Sequence, residues 1–158
     1  MSACESKDLS KWCIIGAGPS GLTALKNFLQ CGIQVDCIER EDDLGGNWYF
    51  GSSTSRVFES TKLISSKSLT QFTDFPMPQD WPEYPDHRQC LEYLHRYADH
   101  FGLRKHILFK NSVTHITPIE CNQVRQGWQV DFEDGSTRYY AGVVFASGHN
   151  HEPRLPDI

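Results

Sequence analysis

The chain has 158 residues, 39% of them apolar, and a formal net charge of −5; that length can bury one core, and a single domain over residues 1–158 is expected. The acidic balance argues against nucleic acid and anionic membranes as main partners. No apolar run approaches the roughly 20 residues needed to cross a bilayer, and the opening Met1-Ser-Ala-Cys-Glu-Ser-Lys-Asp8 has no signal-peptide apolar region.

In chain order, Lys11–Ile15 reads as a short buried strand, and it stops at Gly16-Ala-Gly-Pro-Ser-Gly21. Pro19–Cys31 reads as a helix, with Leu22, Leu25, Phe28 and Leu29 on one face, Pro19 in its opening turn and Gly32 as its stop. Gln34–Glu39 is a second strand that ends in an acid. Strand, tight turn, helix, strand and carboxylate follow in the order that holds a dinucleotide. Gly16 allows the sharp turn, Gly18 lets the backbone approach a pyrophosphate, and Gly21 lets the helix lie close on the strand. The helix N-terminus offers free N–H groups and a partial positive charge to the phosphates.

Glu39 narrows the ligand. It stands about twenty residues after the glycines, where it can accept hydrogen bonds from an adenosine ribose. A 2′-phosphate there would meet a like charge, costing roughly 4 kcal/mol per pair at an effective dielectric of about 20. FAD or NAD is therefore expected and NADP disfavoured at this position. Arg40 is expected to point to the opposite face from Glu39, by strand alternation.

From Arg40 to Asp86 the pattern dissolves into Gly, Ser and Pro, including the aromatic-proline segment Phe72–Pro85. Its Trp, Phe and Tyr content exceeds that of a linker, and an excursion that covers a ligand is expected. Asp86 then caps a helix over His87–Phe101, with Gln89 placed for a capping box, a core stripe of Leu91, Leu94, Ala98 and Phe101, and Gly102 as the stop. Ile107–Phe109 is a short strand. Val113–Ile119, Gly127–Phe132 and Thr137–Tyr140 form a small antiparallel meander, with Asp134-Gly135 as a hairpin turn. Val143–Ala146 is a last buried strand ending at Ser147-Gly148.

Six cysteines, at positions 4, 13, 31, 37, 90 and 121, show no CxxC pair. Cys13, Cys31 and Cys37 fall in core elements and are expected as buried reduced thiols, in keeping with a cytoplasmic protein. The seven histidines show no zinc pattern; His149 and His151 read as parts of a solvated tail, and no metal is expected.

Gly16-Ala-Gly-Pro-Ser-Gly21, Ile38-Glu-Arg40 and Leu44-Gly-Gly-Asn-Trp48 closely resemble the FAD-binding start of flavin-containing monooxygenases of the dimethylaniline N-oxide-forming type. Ser65-Ser-Lys67 leading to Asp74-Phe-Pro-Met-Pro78, and Val144-Phe-Ala-Ser-Gly-His149 leading to Pro153 and Pro156, extend the resemblance over nearly the whole chain in the family order. The resemblance implies an α/β fold: a Rossmann-like, three-layer FAD/NAD(P)-binding domain with a small antiparallel β-meander. It implies FAD as cofactor and NADPH as co-substrate, with oxygen from O2 transferred to a soft nitrogen or sulfur nucleophile. The partners implied are a small-molecule substrate and O2; no oligomeric state follows.

Carried over by residue, Gly16, Ala17, Gly18, Pro19, Ser20 and Gly21 would cradle the FAD pyrophosphate. Glu39, with Arg40 beside it, would serve the adenosine ribose. Gly46, Asn47 and Trp48 would lie on the flavin side, and Ser147 and Gly148 would close over the cofactor. The sequence departs from the family at Ile64, which stands where an asparagine amide usually faces the reactive edge of the flavin. Isoleucine can neither donate nor accept there. The 158 residues also hold no second glycine fingerprint for NADPH. The expectation is a truncated front third of such an enzyme, inactive alone and weak or lacking in FAD retention. The alternatives are a Baeyer–Villiger-type or other two-dinucleotide flavoprotein, or a non-catalytic nucleotide-binding remnant.

Overall fold

The computed structural model describes residues 8–52, 55–121, 123–149 and 156. β1 (Trp12–Ile15), α1 (Pro19–Gln30) and β2 (Val35–Ile38) form the opening βαβ unit. A short α2 (Lys67–Thr70), which the sequence pattern does not signal, precedes α3 (His87–His100). Next come β3 (Ile107–Leu108), the meander β4 (Val113–Cys121), β5 (Val124–Phe132) and β6 (Thr137–Tyr140), and last β7 (Gly142–Phe145).

Four strands build a parallel sheet in the order β3-β2-β1-β7, with β1 paired to β2 on one side and to β7 on the other. Ile14 lies opposite both Cys37 and Val144, and all three turn to one face with Leu22 and Leu25 of α1. Cys13 and Ile38 turn to the other face, where Val130, Phe132 and Tyr140 of the meander cover them. Strand alternation thus gives three layers: helices, parallel sheet and meander.

The aromatic-proline segment packs against α3. Phe72 and Phe75 stack on Tyr93 and Tyr97 of α3, with ring centroids 4.6–5.6 Å apart. The Tyr93 hydroxyl donates to the Phe75 carbonyl and accepts the Phe72 N–H at 2.7 Å. The Lys67 ammonium donates to the carbonyls of Pro78, Gln79 and Trp81 at 3.1, 2.8 and 2.6 Å. Within the Arg40–Asp86 excursion, this segment packs on α3, whose wide aromatic face burial favours, while Arg40 and Gly46–Trp48 of the same excursion line the cavity described below.

The capping box on α3 forms as expected: the Asp86 side chain accepts the Gln89 N–H at 2.9 Å, and the Gln89 side chain accepts the Asp86 N–H at 3.1 Å. The buried stripe, however, runs through Cys90, Tyr93, Leu94, Tyr97 and Ala98, and Leu91 is only half-buried. Cys31 caps the end of α1 and is exposed, so it is not a core thiol. Cys13 and Cys37 are buried as expected. Burial, with Asp36 nearby, pushes the Cys13 thiol up to about 12, and burial, with Glu39 nearby, pushes Cys37 up as well. Both are inert packing groups at neutral pH.

Candidate functional site

The C-terminal ends of β1, β2 and β7 open onto a cavity of about 480 Å³. β1 is the point at which the chain passes from one side of the sheet to the other, the place where open α/β sheets leave a crevice. Three glycine positions shape it, each for a separate reason. Gly16 sits at φ +103°, and a Cβ there would strike the Ala146 carbonyl oxygen at 2.5 Å. Gly21 packs α1 onto the turn so tightly that a Cβ would come within 1.8 Å of the Gly16 carbonyl oxygen. Gly18 is different: a Cβ there would meet only Gly46, at 3.6 Å or more. The backbone at Gly18 is kept bare toward the cavity, not toward the protein.

Gly18 is also the N-cap of α1, with no side-chain cap bond and no acid in the first turn. Helix N–H groups there have no side-chain acceptor, and the helix dipole places positive potential at the opening. The arrangement suits an anion.

A second glycine turn completes this wall. The Gly45 N–H donates to the Ala17 carbonyl at 3.0 Å, and a Cβ on Gly45, at φ +122°, would meet Leu91 Cδ1 at 2.4 Å. Gly46 follows at φ +55° in contact with Gly18, and Asn47 and Trp48 continue along the cavity. Asn47 holds the next stretch of chain: its carbonyl accepts the Ser55 hydroxyl and its Oδ1 the Arg56 N–H, each at 2.8 Å.

Glu39 is 7% exposed. Its Oε2 accepts the Ala17 N–H at 2.7 Å and its Oε1 the Glu41 N–H at 3.0 Å. A carboxylate has about four acceptor positions, so two remain for hydroxyl donors in the cavity. Arg40 lines the same cavity, contrary to the opposite-face expectation. β2 ends at Ile38, and the strand alternation no longer applies beyond it.

Of the residues the sequence singles out, Gly16, Gly18, Pro19, Ser20, Glu39, Arg40, Gly46, Asn47, Trp48, Ser147 and Gly148 line the cavity. Ala17 and Gly21 do not. Ala17 is fully buried and acts through its N–H to Glu39, while Gly21 acts through packing. Sequence reasoning missed Asn111, Ser112 and Val113, which arrive between β3 and β4 to line the end beside Glu39. The Asn111 N–H donates to the Glu39 carbonyl at 2.9 Å, and the Lys110 N–H to that of Glu41 at 3.0 Å, with Lys110 in the left-handed region at φ 57°. No local motif announces this contact, since it spans 72 residues of chain. His149 lines the cavity too, rather than belonging wholly to a solvated tail; His151 lies outside the described residues.

Ile64 is 100% exposed and does not line this cavity. Its neighbours are firmly held: the Leu63 N–H donates to the Pro85 carbonyl at 2.9 Å and the His87 N–H to the Thr61 carbonyl at 3.0 Å. No cluster of three metal-ligating side chains occurs among the described residues, and no helix among them is long and apolar enough to cross a membrane.

Comparison with known proteins places this geometry. Flavin-containing monooxygenase 1 of Homo sapiens is 37% identical over 150 residues, covering 90% of this chain and 28% of its own length. Flavin-containing monooxygenase 3 of Rattus norvegicus is 35% identical over 153 residues, covering 92% of this chain and 29% of its own. Cyclohexanone monooxygenase from Rhodococcus sp. Phi1, solved bound to NADP+, superposes with a TM-score of 0.80 at 27% identity over 96% of this chain and 28% of its own. The S-allyl-L-cysteine S-oxygenase of Allium sativum shares the fold at a TM-score of 0.83 and 23% identity, over 94% of this chain and 38% of its own. The chain thus spans less than a third of the length of these curated relatives. Residues 9–157 match the model of the flavin-binding monooxygenase-like family, and the chain belongs to that family.

Proposed function

We propose that this chain binds FAD and serves as the flavin-holding part of an NADPH-dependent monooxygenase that oxygenates soft nitrogen or sulfur nucleophiles with O2. One observation carries the reading: an uncapped helix N-terminus and a bare Gly18 open onto the cavity that also receives Glu39. Gly16, Gly18, Pro19 and Ser20 would hold the pyrophosphate. Glu39, fixed by its two backbone bonds, would accept from the adenosine ribose, with Asn111–Val113 at the adenine end. Gly46–Trp48 and Ser147-Gly148 would flank the flavin side. A neighbouring fold, OTEMO, was solved in complex with both FAD and NADP at a TM-score of 0.79 and 26% identity, which supports the choice of cofactors.

Bound FAD, once reduced, supplies the capacity to activate O2 and pass on one oxygen atom. The residues of this chain bind, orient and exclude water. Glu39 repels a 2′-phosphate, so FAD is favoured over NADP here, with Arg40 offsetting part of that repulsion. Ile64 brings no hydrogen bond to the position where relatives are expected to carry an amide, and it leaves an apolar surface there.

Titrating FAD into the pure chain while following flavin fluorescence tests the cofactor reading. Saturable binding that disappears in Gly18→Val supports it, and no saturable change in the parent chain overturns it. A second reading, Baeyer–Villiger oxygenation, is favoured by the similarity to cyclohexanone monooxygenase. Offering a thioether and a cyclic ketone to an enzyme that carries this segment, with NADPH, separates the two by product.

A further inference from the structure

We propose that His149 is a proton-linked contact to the pyrophosphate of the bound dinucleotide, so that FAD binding takes up a proton near neutral pH. The inference rests on the FAD reading above. Among the described residues, three side chains with ionisable groups line the cavity: Glu39, Arg40 and His149. Glu39 and Arg40 stand side by side just past the end of β2 and balance each other in charge. The first turn of α1 has no acid and supplies backbone N–H groups, with a helix dipole worth about half an elementary charge, and the neutral Ser20 hydroxyl. Asn111, Ser112 and Val113 are neutral. Each phosphate of a dinucleotide pyrophosphate carries a full negative charge, and among the described lining side chains His149 alone can change its charge to answer it near pH 7.

The chain path places it there. β7 runs parallel to β1 with Phe145 opposite Ile15, and the Ala146 N–H donates to the Ile15 carbonyl at 2.9 Å. The Ala146 carbonyl crowds Gly16, so β7 leaves the sheet directly over the glycine turn. Gly148 then bends the chain at φ +81°, with open space around it. His149 follows as an exposed side chain on the cavity wall, in reach of water until a ligand arrives.

The sign follows from linkage. A phosphate beside the ring favours the imidazolium in the complex over the free protein. Binding then draws in a proton, and affinity is highest in acid and is lost as pH rises through the value the ring has in the complex.

Titration calorimetry with FAD and with ADP-ribose, whose pyrophosphates do not titrate in this range, reads both affinity and proton uptake when repeated in buffers of different ionisation enthalpy. Affinity of the parent chain is expected to fall about tenfold from pH 6 to pH 8.5, equivalent to a one-unit shift of the ring, with proton uptake near pH 7. His149→Gln should bind weakly at every pH without proton uptake. His149→Lys should keep the acid-side affinity at both ends of the range. Proton uptake that persists in His149→Gln, or none in the parent, overturns the proposal while leaving the FAD reading intact. No FAD binding by the parent at any pH overturns both.

Discussion

The glycine turn at Gly16–Gly21 and the aromatic-proline segment at Phe72–Pro85 both looked ligand-facing from composition, yet the fold treats them oppositely. In the aromatic segment the backbone is tied back into the protein: Tyr93 bridges Phe72 and Phe75, and Lys67 gathers three carbonyls. At the glycine turn the helix N-terminus has no side-chain cap, and Gly18 has no neighbour that requires it to be glycine. A segment that satisfies itself is structure. A segment that leaves donors open onto a cavity is held for something else.

Substitutions in the two regions should therefore separate stability from binding. The largest effect is expected at Gly21→Ala, whose Cβ would overlap the Gly16 carbonyl oxygen; urea unfolding should show a loss of about 3 kcal/mol or more, or no folded protein. Phe75→Ala, which strips the contacts with Tyr93, Tyr97 and Phe101, should cost about 3 kcal/mol and leave FAD affinity per folded molecule unchanged. A drop in that affinity would mean the aromatic segment shapes the site after all.

Glu39→Ala joins both columns. Losing the carboxylate that accepts from Ala17 and Glu41 should lower stability by about 2 kcal/mol and weaken FAD binding by about tenfold, read by flavin fluorescence; unchanged affinity would break the ribose assignment. The smallest effect is expected at Asp86→Ala, which removes one half of the α3 capping box. It should cost about 1 kcal/mol in urea unfolding with no change in FAD affinity.

Much of this protein could be read locally. The spacing of Gly16, Gly18 and Gly21, Pro19 at the helix start and an acid at the end of the next strand are set by contacts within a few turns of chain. So is the Asp86–Gln89 capping box. Such features depend on backbone geometry that neighbouring residues dictate, and they appear in the structure where the pattern puts them. The helical stripe of α3 was displaced because the choice of buried face depends on which aromatic rings Phe72 and Phe75 bring to it, not on helical period alone.

Only the tertiary structure could decide the rest. Asn111–Val113 come to Glu39, and His149 comes onto the cavity wall, because β3 and β7 take particular places in the parallel sheet. Arg40 turns to the cavity because β2 stops at Ile38. Sequence determined the glycine turn at the mouth of the cavity, since its three glycines answer to sterics within their own βαβ unit. Which distant residues share the cavity with that turn is set by strand order, and strand order follows from the burial of two sheet faces at once, a property no single stretch of chain contains.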